Sequence, residues 1–324
     1  RKSRRILYAR LMEDYSLTIL GCSSATPNSR RFPSSQVLHV RGKYYLLDCG
    51  EGAQIQLRRA RVSFEGLDTI FISHLHGDHF FGIFGLLSSM SLMGRKQKLT
   101  IYAPQGLKEM ILFQFEACGQ KILYPIEFVE LKKEPFYCLL DAKNFSIHAI
   151  QLNHRVDSWG FYFTEKERDR NIEPSAIEKY GLNFEDIKNI KQGRDFVCED
   201  GTVVKNQEMT KDPVPPFSYA YISDTLFKPE IAQYIQNVSL MYHEATFLEN
   251  LADLALETHH STAHQAAECA KLANAEKLII GHFSSRYKNL DKHLQDAQSI
   301  FENTELANDL CTYTVRKPAY SIWP

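Results

Sequence analysis

Within six residues, His74, His76, Asp78 and His79 bring together three imidazoles and a carboxylate, immediately after the apolar run Leu67 to Ile72. Imidazole and carboxylate are the ligands that zinc and similar divalent ions prefer. In an extended segment His74, His76 and Asp78 project to one side and His79 to the other. The adjacent Asp78 and His79 are therefore available to a second ion beside the one taken by His74 and His76. More ligand types stand at the ends of other strand-like runs, namely His154, Asp224 and His282. The expected grouping is His74, His76 and His154 on one ion and Asp78, His79 and His282 on the other. Asp224 bridges them, because a carboxylate has two oxygens that can each take one ion. Taken singly, His154 reads equally as a strand-end histidine bonded to backbone, Asp224 as a turn cap and His282 as a satisfied core histidine. Asp48 is expected to orient a ligand histidine, or merely to end its strand. Two ions about 3.5–4 Å apart can activate a water and stabilise both the attacking and leaving oxygens of an in-line displacement. Zinc fits the nitrogen-rich set, with manganese as the second choice.

Such a site needs strands whose ends converge. Strand-like runs are predicted at Ser16–Gly21, Ser35–Val40, Tyr44–Asp48, Leu99–Pro104, Ile126–Leu131, Phe145–Leu152, Trp159–Thr164, Phe217–Asp224, Val238–Glu244 and Lys277–Gly281. Helices are predicted at 53–61, 81–93, 107–118, 262–273 and 290–302, the fourth opening on capping hydroxyls. Strand-rich stretches alternate with helices twice over, which suggests two similar halves. From 164 to 211 the pattern breaks down: charges dominate and apolar residues stand singly, as in an insertion projecting from the body. With nine Lys or Arg against eleven Asp or Glu, this segment is not basic overall. A local basic face is expected from Lys188, Lys191 and Arg194, with Lys205 and Lys211 elsewhere in the segment.

At 324 residues, 44% apolar and 24% charged, the chain has the composition of a soluble globular protein with a large core. A net charge of −1 gives no global attraction to polyanions. Seven cysteines without a C-x-x-C pair indicate a reducing compartment and argue against a cysteine–zinc site. No run approaches the ~18 apolar residues that span a bilayer, and the basic start at Arg1 is not followed by a secretory signal. A cytoplasmic location is expected. A natural start at Met12 would make residues 1–11 an extension of a single domain covering 1–324.

The cluster His74-Leu75-His76-Gly77-Asp78-His79 resembles the signature of the metallo-β-lactamase superfamily. Several motifs narrow the resemblance to the ribonuclease Z family, the tRNA 3′-processing endonucleases. They are Ser73 to His79 with Gly82 to Ser89, His154-Arg155-Val156 with Ser158 to Phe161, Ser223-Asp224-Thr225, Glu244 to Phe247, His260 to Ala263, and Gly281 to Tyr287. The resemblance implies an α/β fold, a four-layer αββα sandwich with a protruding arm, here 164–211, that grips tRNA. It implies two zinc ions per chain and cleavage of a tRNA precursor after the discriminator nucleotide. Asp78 would orient or deprotonate the attacking water, and His260, held by Glu244, would protonate the leaving 3′ oxygen. The competing reading of Glu244 and His260 is an ordinary buried pair. A homodimer is also implied. The loop Pro27 to Arg31 is similar to the family's CCA-sensing loop but departs from it at Asn28, Ser29 and Arg31, and no Gly-Pro tip is recognisable in the arm. Two other classes compete. A small-molecule hydrolase of the same fold, such as a phosphodiesterase, predicts a shorter or apolar insertion and no histidine like His260. A non-catalytic nucleic-acid-binding module would tolerate lost ligands, and none of the seven is missing.

Overall fold

The structure, a computed structural model, describes residues 15–26, 28–213 and 215–315. The expected start at Met12 and the loop residue Pro27 lie outside these. The first half runs β1 (Tyr15–Gly21), β2 (Ser35–Val40), β3 (Lys43–Leu47), α1 (Ala53–Arg59), β4 (Leu67–Phe71), α2 (Gly77–Phe80), α3 (Gly82–Leu92), β5 (Leu99–Ala103), α4 (Leu107–Ala117) and β6 (Ile126–Glu130). β7 (Phe136–Ala142), β8 (Phe145–Gln151) and β9 (Trp159–Glu165) open the second half. The inserted arm then carries β10 (Asn171–Ile172), α5 (Pro174–Tyr180), α6 (Phe184–Lys191), β11 (Phe196–Val197), β12 (Val203–Val204), α7 (Asn206–Met209) and β13 (Thr210–Lys211). The second half resumes with β14 (Ser218–Ile222), β15 (Leu240–Glu244), α8 (Ala252–Thr258), α9 (Ala263–Leu272), β16 (Leu278–Gly281), α10 (Asp291–Gln298), β17 (Thr304–Leu306) and β18 (Thr312–Thr314).

Two seven-stranded sheets result among the described residues, in the orders β18-β1-β2-β3-β4-β5-β6 and β17-β16-β15-β14-β9-β8-β7. Their inner faces interdigitate through aromatic side chains. Phe71 lies 5.0 Å from Phe161, and Tyr45 lies 5.8 Å from Phe163, ring centre to ring centre. A second core fills the space between the first sheet and α1, α3 and α4, with Leu57, Ile83, Leu87 and Ile111 fully buried. The predicted sandwich with outer helices is the observed one.

Three expectations need correction. The histidine cluster is not extended throughout. The backbone is extended at His76 and then turns helical at Gly77, where the first-turn Asp78 suits the positive end of the helix. β7 escaped prediction because a bulge between Cys138 and Leu140 breaks its alternation, and α8 escaped as well. Lastly, the arm is folded rather than irregular. Ala176, Leu182, Ile190, Val204 and Met209 form a cluster of their own, apart from the two cores of the body. Spread over short elements, these residues show no period in the sequence. The buried Asn206 amide donates to Ile190 O and Arg194 O, fastening the arm's turns.

Candidate metal and catalytic site

Parallel pairing decides where the polar residues meet. β3 runs parallel to β4, and β14, β15 and β16 run parallel to one another, so their C-terminal ends share an edge of the sandwich. Asp48 follows β3, His74 follows β4, His154 follows β8, Asp224 follows β14, Glu244 ends β15 and His282 follows β16. Asp48 (φ 56°) and His282 (φ 61°) sit in left-handed backbone conformations, rare for residues with a Cβ and frequent at functional sites. Glycine lets α2 and α3 come close: a Cβ on Gly82 would collide with the Gly50 carbonyl, and one on Gly50 with the Asp78 carbonyl.

All seven expected ligands converge. One group brings ligand atoms of His74, His76, His154 and Asp224 within 4.8 Å of one another, and a second does the same for Asp78, His79 and His282. The carboxylate of Asp224 divides between them. Its Oδ2 lies 3.6 Å from His74 Nε2 and 3.9 Å from His154 Nε2, while Oδ1 lies 3.4 Å from His79 Nε2 and 3.3 Å from His282 Nε2. His282 Nε2 is 3.4 Å from Asp78 Oδ2, and His76 Nδ1 is 3.1 Å from His154 Nε2. Donor atoms around a tetrahedral ion with bonds of ~2.0–2.1 Å stand roughly 3.3 Å apart, so these separations match a shared cation.

Two further observations fit a cation here. His74 Nε2 and Asp224 Oδ1 are buried without a hydrogen-bond partner, which costs free energy unless something else takes their lone pairs. The field also favours positive charge. Burial disfavours a charged His79, yet Asp224, Asp78 and Asp48 together hold its pKa well above the usual value. At His74, where burial dominates, the pKa falls well below it and the ring stays neutral, as a ligand must be. His76 and His154 are lowered by burial as well.

Asp48 and Glu244 play matching parts in the two halves. Asp48 Oδ2 accepts from His79 Nδ1 at 2.7 Å, as expected of an orienting carboxylate. Glu244, fully buried, accepts from His260 Nδ1 at 3.0 Å. Burial opposes charge on His260, but Glu244 outweighs it and pushes the pKa up to about 9. Asp224, His260 and His282 form a third close group. The His260 nitrogen facing Asp224, at 3.8 Å, is the Nδ1 already committed to Glu244, which sets this ring apart from the ligands. Sequence reasoning missed the supports. The Ala25 backbone N–H donates to Asp78 Oδ2 at 2.7 Å, and the His259 carbonyl accepts from His154 Nδ1 at 2.7 Å. Backbone groups leave no signal in residue types. In the arm, Lys205 pairs with Asp195 and Lys211 with Glu173.

The chain is 41% identical over 304 residues to Ribonuclease Z of Bacteroides thetaiotaomicron, covering 94% of this chain and 96% of that protein. The chain belongs to the ribonuclease Z family. Ribonuclease Z of Porphyromonas gingivalis is likewise 41% identical, over 298 residues that span 92% of this chain and 98% of its own. Among solved structures, the short form of human tRNase Z superposes with a TM-score of 0.69 at 27% identity, covering 93% of this chain and all of that one. A family model described as "Anti-Pycsar protein Apyc1" matches residues 15–165, which hold the first sheet without β18 and the opening of the second. The family makes the protein a hydrolytic endoribonuclease of metallo-β-lactamase fold. It is metal-dependent, with the His and Asp groups above as its metal-binding candidates.

Proposed function

We propose that this protein removes the 3′ trailer from tRNA precursors. It cuts after the discriminator nucleotide and leaves a 3′-hydroxyl on the tRNA and a 5′-phosphate on the trailer. The observation that carries the reading is His260, held by a buried carboxylate beside both ligand groups and partly open to solvent. A proton donor there suits an alkoxide leaving group. One zinc ion would be held by His74, His76, His154 and Asp224, and a second by Asp78, His79, His282 and Asp224; manganese fits the same set. When bound, such a pair acidifies a water and neutralises charge on the phosphoryl oxygens. Asp78, fixed by the Ala25 N–H, aligns the attacking water and receives its proton. Glu244 holds His260 with its second nitrogen toward the leaving oxygen, and a charged ring at neutral pH has the proton to give.

The arm at 164–211 is the tRNA-binding exosite in this reading. Phe184, 84% exposed, shares a stripe of α6 with Lys188 and Lys191, an aromatic surface beside two cations. A homodimer belongs to the same reading. Its support is the outer stripe Phe81, Phe84, Ser88 and Leu92 along α3, which carries no charge to repel its own copy; sedimentation of Leu92→Glu against the wild type tests it. A cytoplasmic location accords with seven unpaired cysteines. Among the described residues no helix is long and apolar enough to cross a membrane.

The test is cleavage of an end-labelled tRNA precursor with a short trailer, with the trailer's 5′ end mapped. A single metal-dependent cut after the discriminator, lost in Asp78→Ala, is the expected result. Intact RNA beside brisk hydrolysis of a small phosphodiester would replace this reading with the small-molecule one.

A further inference from the structure

The two strand-end carboxylates each engage a hydroxyl as well as a histidine, and proton counting through those hydroxyls has a consequence for the ligands. Asp48 Oδ1 accepts from the Ser73 N–H at 2.7 Å. Its Oδ2 accepts from Ser73 Oγ at 2.8 Å, His79 Nδ1 at 2.7 Å and the Tyr221 hydroxyl at 2.6 Å. Ser73 has one hydroxyl proton, and it goes to Asp48. The two remaining neighbours of Ser73 Oγ, His74 Nδ1 and Ser223 Oγ, both at 3.0 Å, must then donate to it. With its proton on Nδ1, His74 keeps its lone pair on Nε2, the buried atom without a hydrogen-bond partner.

The other half repeats the device. Glu244 Oε2 accepts from Thr246 N–H at 3.0 Å and Thr246 Oγ at 2.7 Å. Having given its proton to Glu244, Thr246 Oγ accepts from His282 Nδ1 at 2.8 Å. The His282 lone pair therefore lies on Nε2, facing Asp224 Oδ1 at 3.3 Å and Asp78 Oδ2 at 3.4 Å. We infer that two buried carboxylate–hydroxyl relays, Asp48–Ser73–His74 and Glu244–Thr246–His282, fix the tautomer of one ligand histidine in each metal group. Ser73 and Thr246 are thus positioning residues, each serving a different ion. The inference rests on the two-ion reading above.

The test compares zinc-loaded wild type, Ser73→Ala, Thr246→Val and the hydroxyl-retaining Ser73→Thr, by zinc per chain and by competition with a chromophoric chelator. Each of the first two variants is expected to hold one ion as the wild type does and the other about 10–100-fold more weakly. Combining them weakens both ions, and Ser73→Thr restores wild-type retention. Unchanged affinity for both ions, or equal loss of both from each single variant, overturns the relays. A wild type that binds no zinc overturns the two-ion reading instead. Long-range 1H–15N spectra of the histidine-labelled, zinc-loaded wild type give a check that needs no variant to fold. His74 and His282 should carry their protons on Nδ1, and either one protonated on Nε2 refutes the relay that serves it.

Discussion

If His260 donates the proton that lets the 3′ oxygen leave, a leaving group that needs no proton should make it dispensable. The perturbation is His260→Ala, assayed on a tRNA precursor whose bridging 3′ oxygen at the cleavage site is replaced by sulfur. General acids contribute about 10²–10⁴-fold. Glu244 is fully buried and the His260 side chain is only 16% exposed, so bulk water competes poorly for the proton-donor position. The loss on the natural precursor should accordingly reach about 10³-fold in single-turnover rate, or ~4 kcal/mol. A thiol, with a pKa of about 8.5, leaves as the thiolate, and on the sulfur substrate the same variant should fall to within roughly tenfold of wild type. Glu244→Gln should sit between the two on the natural precursor. It keeps an oxygen for His260 Nδ1 but turns an amide toward the Thr246 N–H and hydroxyl that Oε2 now accepts. Equal losses for His260→Ala on the oxygen and sulfur substrates would refute the acid role and leave His260 as a binding or structural residue.

Other outcomes follow from the same structure. Dialysis against a chelator should abolish cleavage and lower the melting temperature, since an ion present at 1,000 times its Kd adds about 4 kcal/mol to stability; added zinc should restore both. Replacing residues 167–211 by a short linker should leave hydrolysis of a small phosphodiester intact while raising KM for the tRNA precursor, because the arm's cluster is separate from the body's cores. The triple change of Lys188, Lys191 and Arg194 to Glu should raise KM in the same way and flatten its dependence on salt. His293 is buried, and burial, with the charge of Arg31, outweighs a backbone contact at Thr246 and lowers its pKa to about 4. The unfolded chain then binds the proton more tightly, so stability is complete above about pH 6.5 and falls as pH drops toward 4, by roughly 2 kcal/mol at pH 5. In urea unfolding at pH 7 and pH 5, His293→Phe should lose that share of the acid sensitivity.

Ligand chemistry is local, and the sequence determined it. Three imidazoles and a carboxylate within His74 to His79, after an apolar strand, announce a metal site before any folding is known. His154, Asp224 and His282 were legible for a related reason, since each stands at the end of a recognisable strand. Most strands of the body were readable as apolar runs, though not β7, whose bulge spoils the period; their packing as two sheets was implied only by the family resemblance. What tertiary structure decided was relation. Parallel pairing of β3 with β4, and of β14, β15 and β16, carries residues up to 234 positions apart (Asp48 and His282) to one edge. Only there does Asp224 turn one oxygen to each group. The supports were hidden because their chemistry is not in their type. A serine, a threonine and two backbone groups become parts of a metal site through who faces them: Ser73 between Asp48 and His74, Thr246 between Glu244 and His282, the Ala25 N–H on Asp78 and the His259 carbonyl on His154. Proton direction in a buried network is set by all its members at once, and no single position in the chain carries it.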